Sequence, residues 1–346
     1  MNPSPESVPP PVQQKKKSLL RGTGLLVSAG LVTTVVMVMT AVWINWPKKR
    51  TVPEPLPRSV ASLISRLPGT SDALIYVGLK DIRESRFWRE VLPDSIRSAP
   101  LFEPDGSMRS MLAAGGVSPA RDIDTLLVSF RQRGYKGQYF IAVASGRFPG
   151  ISDARLASLS REVKQVGAYR CYGVDSTLWV APLRPGALVV SNDRQMMEGF
   201  LVPQGSFFER DSLSTALVNR TLFKSHLWFA MPSGSWTAGA LRSLMSKNRD
   251  VGSFGNLNRI QNLSLSVALR DTVQAESEWG YRDNKSAWFA STFLWGTIRL
   301  SGLSQARTSA QMREVLDNID VHQNLSSVMI RTKMPVELFI PGKEGR

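Results

Sequence analysis

Cysteine occurs once in the 346 residues, at Cys171, and histidine twice, at His226 and His322. One thiol excludes an internal disulfide framework and any multi-cysteine metal site. Two imidazoles leave little material for zinc or iron chemistry. No G-x-S-x-G, S-x-x-K, H-E-x-x-H or G-x-x-x-x-G-K-S/T run occurs, and the Asp/Asn ladder of a calcium loop is missing. Acidic residues are scarce beside basic ones, 28 against 43, for a formal net charge of +15. The excess is spread along the chain, and no dedicated nucleic-acid motif accompanies it, so a nucleic-acid partner is not expected.

A long stretch free of charge is present. Gly22 to Trp46 carries no ionisable side chain, and about 20 apolar residues are enough to cross a bilayer as a helix. The run predicts a transmembrane helix over 21–46, anchored by residues such as Leu25, Leu26, Val35 and Val36. Trp43 and Trp46 would form an interfacial belt before Lys48-Lys49-Arg50. It is longer than a signal-peptide core and lacks a small-x-small cleavage site. Basic residues are balanced on its two sides, so orientation rests on the short Pro/Ser-rich N-terminus, which reads as a disordered cytosolic tail over 1–20. Residues 47–58 alternate proline with charge and read as a semi-extended spacer.

The remainder predicts an α+β fold with antiparallel sheets. Residues 125–130 and 138–148 read as strands around a glycine-bearing hairpin tip. Residues 152–166 read as a helix on the spacing of Leu156, Leu159, Val163 and Val166. Strands at 169–174, 177–183 and 187–192 and a helix from Asp193 complete the first half. The second half restarts with a strand at 226–232 and a helix over 236–247, then a hairpin over 260–281, two helices (284–300 and 308–318), a strand and a short C-terminal helix. In that hairpin Glu276 and Glu278 alternate with Ala275 and Trp279, the pattern of a half-solvated strand. Shared element order suggests a duplicated unit, 59–203 and 209–342.

The segments GGVSPARDIDTLLVSF, FIAVASGRF, ALVVSNDRQMMEGF and SHLWFAMP resemble those of uncharacterised bacterial envelope proteins with one N-terminal span and a duplicated α+β ectodomain. That resemblance implies the architecture and a bacterial envelope location; with the N-terminal tail read as cytosolic, the expected place is the inner membrane with the C-terminal domain periplasmic. It supplies no functional residues.

Candidate chemistry is sparse. Cys171 reads as a small strand side chain, His226 and His322 as structural or surface residues, and the pairs Asp122/Asp124 and Glu276/Glu278 as solvated carboxylates. No catalytic residue, metal site or cofactor is expected. Two contact surfaces stand out: the hairpin tip Arg131, Arg133, Tyr135 and Lys136, and the aromatic helix carrying Trp288 and Trp295, whose default placement is the core. The expected function is therefore a non-enzymatic, membrane-anchored interaction or scaffold module, with an envelope protein or anionic lipid as partner. A lipid- or small-molecule-binding sensor is the alternative, and a carboxylate-dependent hydrolase a further one.

Overall fold

The computed structural model describes residues 19–97, 106–133, 137–237, 259–303 and 309–340. The chain divides into two units, residues 1–46 and 47–346. In the first, helix α1 runs Leu19–Asn45. Its described side chains begin at Gly30; Val35, Val36, Trp43 and Trp46 are exposed, while the side chains of Leu25 and Leu26 lie outside the described residues. Among the described residues no helix is long and apolar enough to cross a membrane.

The second unit is built on one twelve-stranded sheet in which every neighbouring pair is antiparallel. Its strands are β1 (Ala73–Val77), β2 (Ile123–Arg133), β3 (Gly137–Gly146), β4 (Glu162–Val166), β5 (Tyr169–Gly173) and β6 (Trp179–Arg184). They continue as β7 (Ala187–Ser191), β8 (Leu227–Met231), β9 (Ile260–Leu269), β10 (Thr272–Tyr281), β11 (Ile319–Asn324) and β12 (Ser327–Pro335). The centre is the β1–β8 pair, with Ile75 opposite Phe229 and Tyr76 opposite Trp228. From it one arm runs outward β2-β3-β7-β6-β5-β4 and the other β9-β10-β12-β11. Both arms thus place a hairpin beside the centre, then a strand late in the chain, then the strand just before it.

Alternation along the strands gives the sheet two faces. One carries Tyr76, Leu127, Val143, Val189, Trp228 and Ala230 and forms the main core with helices α2 (Arg58–Ser65), α5 (Arg194–Leu201) and α6 (Ser212–Arg220). On the other, α3 (Gly106–Ala114) and α4 (Asp153–Leu159) cover the first arm. Helix α7 (Asn284–Leu303), followed by α8 (Ala310–Asp317), covers the second. Between these covers the central strands are only half-buried: Ile75 and Val77 of β1 lie beside Phe229 and Leu227 of β8.

Two expectations are corrected, and a third lies almost wholly outside the described residues. The helix read over 152–166 stops at Leu159, where Ser160 is extended, and Val163 and Val166 lie instead on edge strand β4, paired with β5. The helix expected over 236–247 has only its first two residues within the described part. Residues 47–57 are not a free spacer but a strap along the sheet. The Lys48 amide donates to Asn324 Oδ1 at 2.9 Å, and Arg50 donates twice to Glu278, at 2.9 and 3.0 Å. The Glu54 carboxylate accepts from the Lys224 amide and from Arg270, both at 2.8 Å, and Leu56 packs on the main core.

That strap explains why Glu276 and Glu278 are buried rather than solvated. Their side of β10 continues the face bearing Trp228, and the strap closes over it. Each carboxylate is matched by arginine: Arg331 donates to Glu276, and Arg50 and Arg220 flank Glu278. Alternation tells which residues share a face; it does not tell which face a connecting segment will cover.

Candidate interaction surface

Helix α7 starts where Asp283 accepts from the Ser286 amide (2.8 Å) and hydroxyl (3.0 Å). These bonds hold the Asp283 carboxyl below its usual range, and a carboxylate before the first turn suits the helix dipole. The helix meets the sheet through small residues. Ala287 and Ala290 are buried, with Leu294 and Ile298 half-buried behind them, against Ile260, Trp279, Val321 and Val328. Small residues let the helix sit close to the strands, and they turn its large side chains outward.

The aromatic helix is therefore not the buried element expected from composition. Trp288 is 36% exposed, Phe293 45%, Phe289 and Trp295 53% each, and Leu300 70%. At 3.6 residues per turn these five positions occupy one contiguous outward arc, together with Lys285, Thr292, Gly296 and Arg299. No acidic residue occurs from Asn284 to Leu303. Thr297 and Ser291 donate their hydroxyls back to the helix carbonyls of Phe293 and Trp288, both at 2.9 Å. The arc is thus a large apolar surface with few free polar groups and a cation near each end. Arg299 also reaches Asp317 at 3.3 Å.

The hairpin tip is a different kind of surface. Arg131 and Arg133 are exposed at the end of β2, and the Arg133 guanidinium lies 5.0 Å from the Tyr139 ring centroid. Tyr135 and Lys136 lie outside the described residues. The tip belongs to the first arm and α7 to the second, so the two candidate surfaces are separate features.

The remaining candidates lie apart from both surfaces, in local contacts. Asp122 is buried, held below its usual range by the Arg121 side chain, and accepts from the Ser118 amide at 2.8 Å; Asp124 accepts from Arg83 at 3.0 Å. Burial lowers the His226 pKa, and Ser225 Oγ lies 2.9 Å from its Nδ1. His322 lies on β11 with Nδ1 3.1 Å from Asp320 Oδ2. Burial, with a smaller contribution from Glu198, pushes the Cys171 thiol up to about 11. A thiol so raised is almost wholly protonated at neutral pH, and the thiolate is the nucleophile. Iodoacetamide at pH 7.5 should therefore leave folded protein unmodified and label Cys171 stoichiometrically in denaturant. Rapid labelling of the native chain would contradict the burial.

Among the described residues no group of three or more His, Cys, Asp or Glu is placed to hold a metal ion. Among the described residues, surface grooves are lined by Tyr169, Arg170 and Leu188, by Leu222, Arg299 and Arg331 with Thr51 of the strap, and by Leu213, Arg259 and Arg282.

No protein-family model matches the chain, and no curated protein matches it. Among solved structures, crystal form I of TP0453 is similar with a TM-score of 0.45 and 12% identity, covering 80% of this chain and 94% of that one. Crystal form III of the same protein gives a TM-score of 0.43 at 12% identity, covering 80% and 95%.

Proposed function

We propose that this is a single-pass, membrane-anchored protein of the bacterial inner membrane, whose domain beyond residue 47 is a non-catalytic interaction or scaffold module on the periplasmic side. The charge-free, mostly apolar run Gly22–Trp46 supports the anchor. The matching strand order of the two arms supports a duplicated unit over 59–203 and 209–342. One observation carries the functional part: α7 packs on its own sheet through alanines and presents Phe289, Phe293 and Trp295 to the outside. Exposed aromatic clusters of this size mark contact sites.

The experiment is accessibility of that face in place. With Cys171 buried, a Phe293→Cys variant carries one reactive thiol. In intact bacterial membranes its reaction with a membrane-impermeant maleimide should be about tenfold slower than in detergent-purified protein, the protection given by a docking free energy of about 1.4 kcal/mol. Equal rates in both settings would remove the interaction reading. Because position 293 is exposed, the substitution itself should change stability by no more than about 0.5 kcal/mol.

A second reading, a lipid- or small-molecule-binding sensor, has one observation in its favour: the half-buried seam of Ile75, Val77, Leu227 and Phe229 on the two central strands, between the arms. Mass spectrometry of solvent extracts from the purified chain tests it. A stoichiometric apolar molecule lost on Phe229→Trp substitution would favour the sensor.

A further inference from the structure

We infer that the occupant of the α7 face is the anionic lipid–water interface of a bilayer, so that the domain lies against the membrane through this helix. The inference rests on the reading of α7 as a contact face and names what it contacts.

Three features of the face select this occupant. The first is charge: Lys285 and Arg299 stand near its two ends, the helix itself carries no carboxylate from Asn284 to Leu303, and Arg299 shares its charge with Asp317 of α8 at 3.3 Å. At about 1.5 Å per residue the two cations lie about 21 Å apart along the helix. They bracket the aromatics as cations bracket an amphipathic helix lying in the plane of the headgroups. A second copy of this chain would bring the same two cations against each other on a molecule already at +15. The second is hydrogen bonding: protein interfaces carry roughly one hydrogen bond per 100–200 Å². Here the arc itself carries one hydroxyl, that of Thr292, while the flanking hydroxyls of Thr297 and Ser291 are used within the helix. The face has apolar depth and end charge but few groups that could read a partner residue by residue.

The third is where the chain enters the domain. Lys48, near the start of this unit, is bound to Asn324 through both its amide (2.9 Å) and its carbonyl (3.3 Å). The neighbouring Gln323 side chain donates to the carbonyl of Asn284, the first residue of α7, at 3.3 Å. Beside them Leu325 adopts φ 52°, a left-handed conformation costly for a branched side chain. The corner through which the polypeptide enters the domain is thus also the corner where the aromatic helix starts.

The test uses the full-length Phe293→Cys chain carrying a maleimide-linked benzophenone, reconstituted into vesicles of phosphatidylethanolamine and phosphatidylglycerol and, in parallel, irradiated in native membranes. The expected product is a lipid adduct in both, several times more abundant than in phosphatidylcholine vesicles. A label at Ser158→Cys, on exposed α4, should give none above background. Lys285→Gln should lower the docked-to-free ratio about fivefold, because one cation near an anionic surface is worth about 1 kcal/mol. Phe289→Cys is the second labelling position should the first variant fold poorly. A protein adduct, or a dimer of this chain, without lipid adduct would overturn the lipid assignment while leaving the interaction reading standing. An introduced thiol at position 293 as accessible in membranes as in detergent, with no adduct of any kind, would remove both.

Discussion

Replacing Arg50 with alanine should destabilise the domain by about 3–5 kcal/mol, the cost of stripping the partner from a buried ion pair. Glu278 is the buried member, and Arg50 donates to both of its oxygens; Arg220 stands further off at 3.7 Å. The reciprocal change, Glu278→Ala, should cost less. Arg50 and Arg220 are both partly exposed, and an arginine released from its partner can turn its guanidinium to water, whereas a carboxylate under the strap cannot. A pair contributing only Coulomb attraction would give equal losses, so the asymmetry is the informative result.

The pH dependence sharpens the prediction. Burial alone would raise the Glu278 pKa; the Arg50 hydrogen bonds and the Arg220 charge outweigh it and hold the carboxyl below its ordinary value. A carboxyl depressed in the folded state adds stability above its unfolded pKa of about 4.3 and loses it as pH falls through the folded value. Without Arg50 burial dominates, and the folded pKa should rise above the unfolded one. In Arg50→Ala the Glu278 contribution would then change sign, and stability should recover as pH is lowered through that raised value. Urea denaturation of the full chain in detergent, from pH 7 to pH 4, should show the gap between wild type and variant narrowing toward acid. A constant gap would mean that the strap is held by Lys48, Glu54 and Leu56, and that the arginine pair is incidental.

What the sequence hid and what it showed divide along physical lines. Strands β2, β3 and β7 were legible because each is an apolar run of strand length bounded by turn residues. Helix α7 was legible as a helix from its length and the absence of proline. Its direction was not. Ala287, Ala290, Leu294 and Ile298 form one stripe at helical spacing and Phe289, Phe293 and Leu300 another, so periodicity alone offers two faces, and the bulkier one is the natural guess for the core. The sheet chose the smaller, because alanines allow the closer approach. The strap was hidden for a different reason: its anchors are 170 to 276 residues apart in sequence, and proline alternating with charge looks the same whether a segment is solvated or docked.

The other large effect is expected at the centre of the sheet. Trp228 is fully buried and stacks on Tyr76 with ring centroids 5.7 Å apart. Burial, with the Asp81 charge adding to it, pushes the Tyr76 hydroxyl up to about 12. Trp228→Ala should cost about 3–5 kcal/mol, from lost contacts and the cavity left behind. Trp228→Phe should cost much less than that, since among the described residues the indole Nε1 has no hydrogen-bond partner and its removal relieves a buried unsatisfied donor. The form of unfolding carries as much information as its size. The main core joins Leu127 and Val143 of one arm, through Tyr76 of the centre, to Leu217, Val218, Trp228 and Ala230, which lead into the other. Both arms should therefore unfold in one cooperative transition, and Trp228→Ala should shift that transition as a whole. Hydrogen exchange under rising urea would resolve the alternative. If β9–β12 and α7 lose protection at a concentration where β2, β3 and β7 keep theirs, the arms are independent folding units joined by a strand pair, and the variant should separate them further.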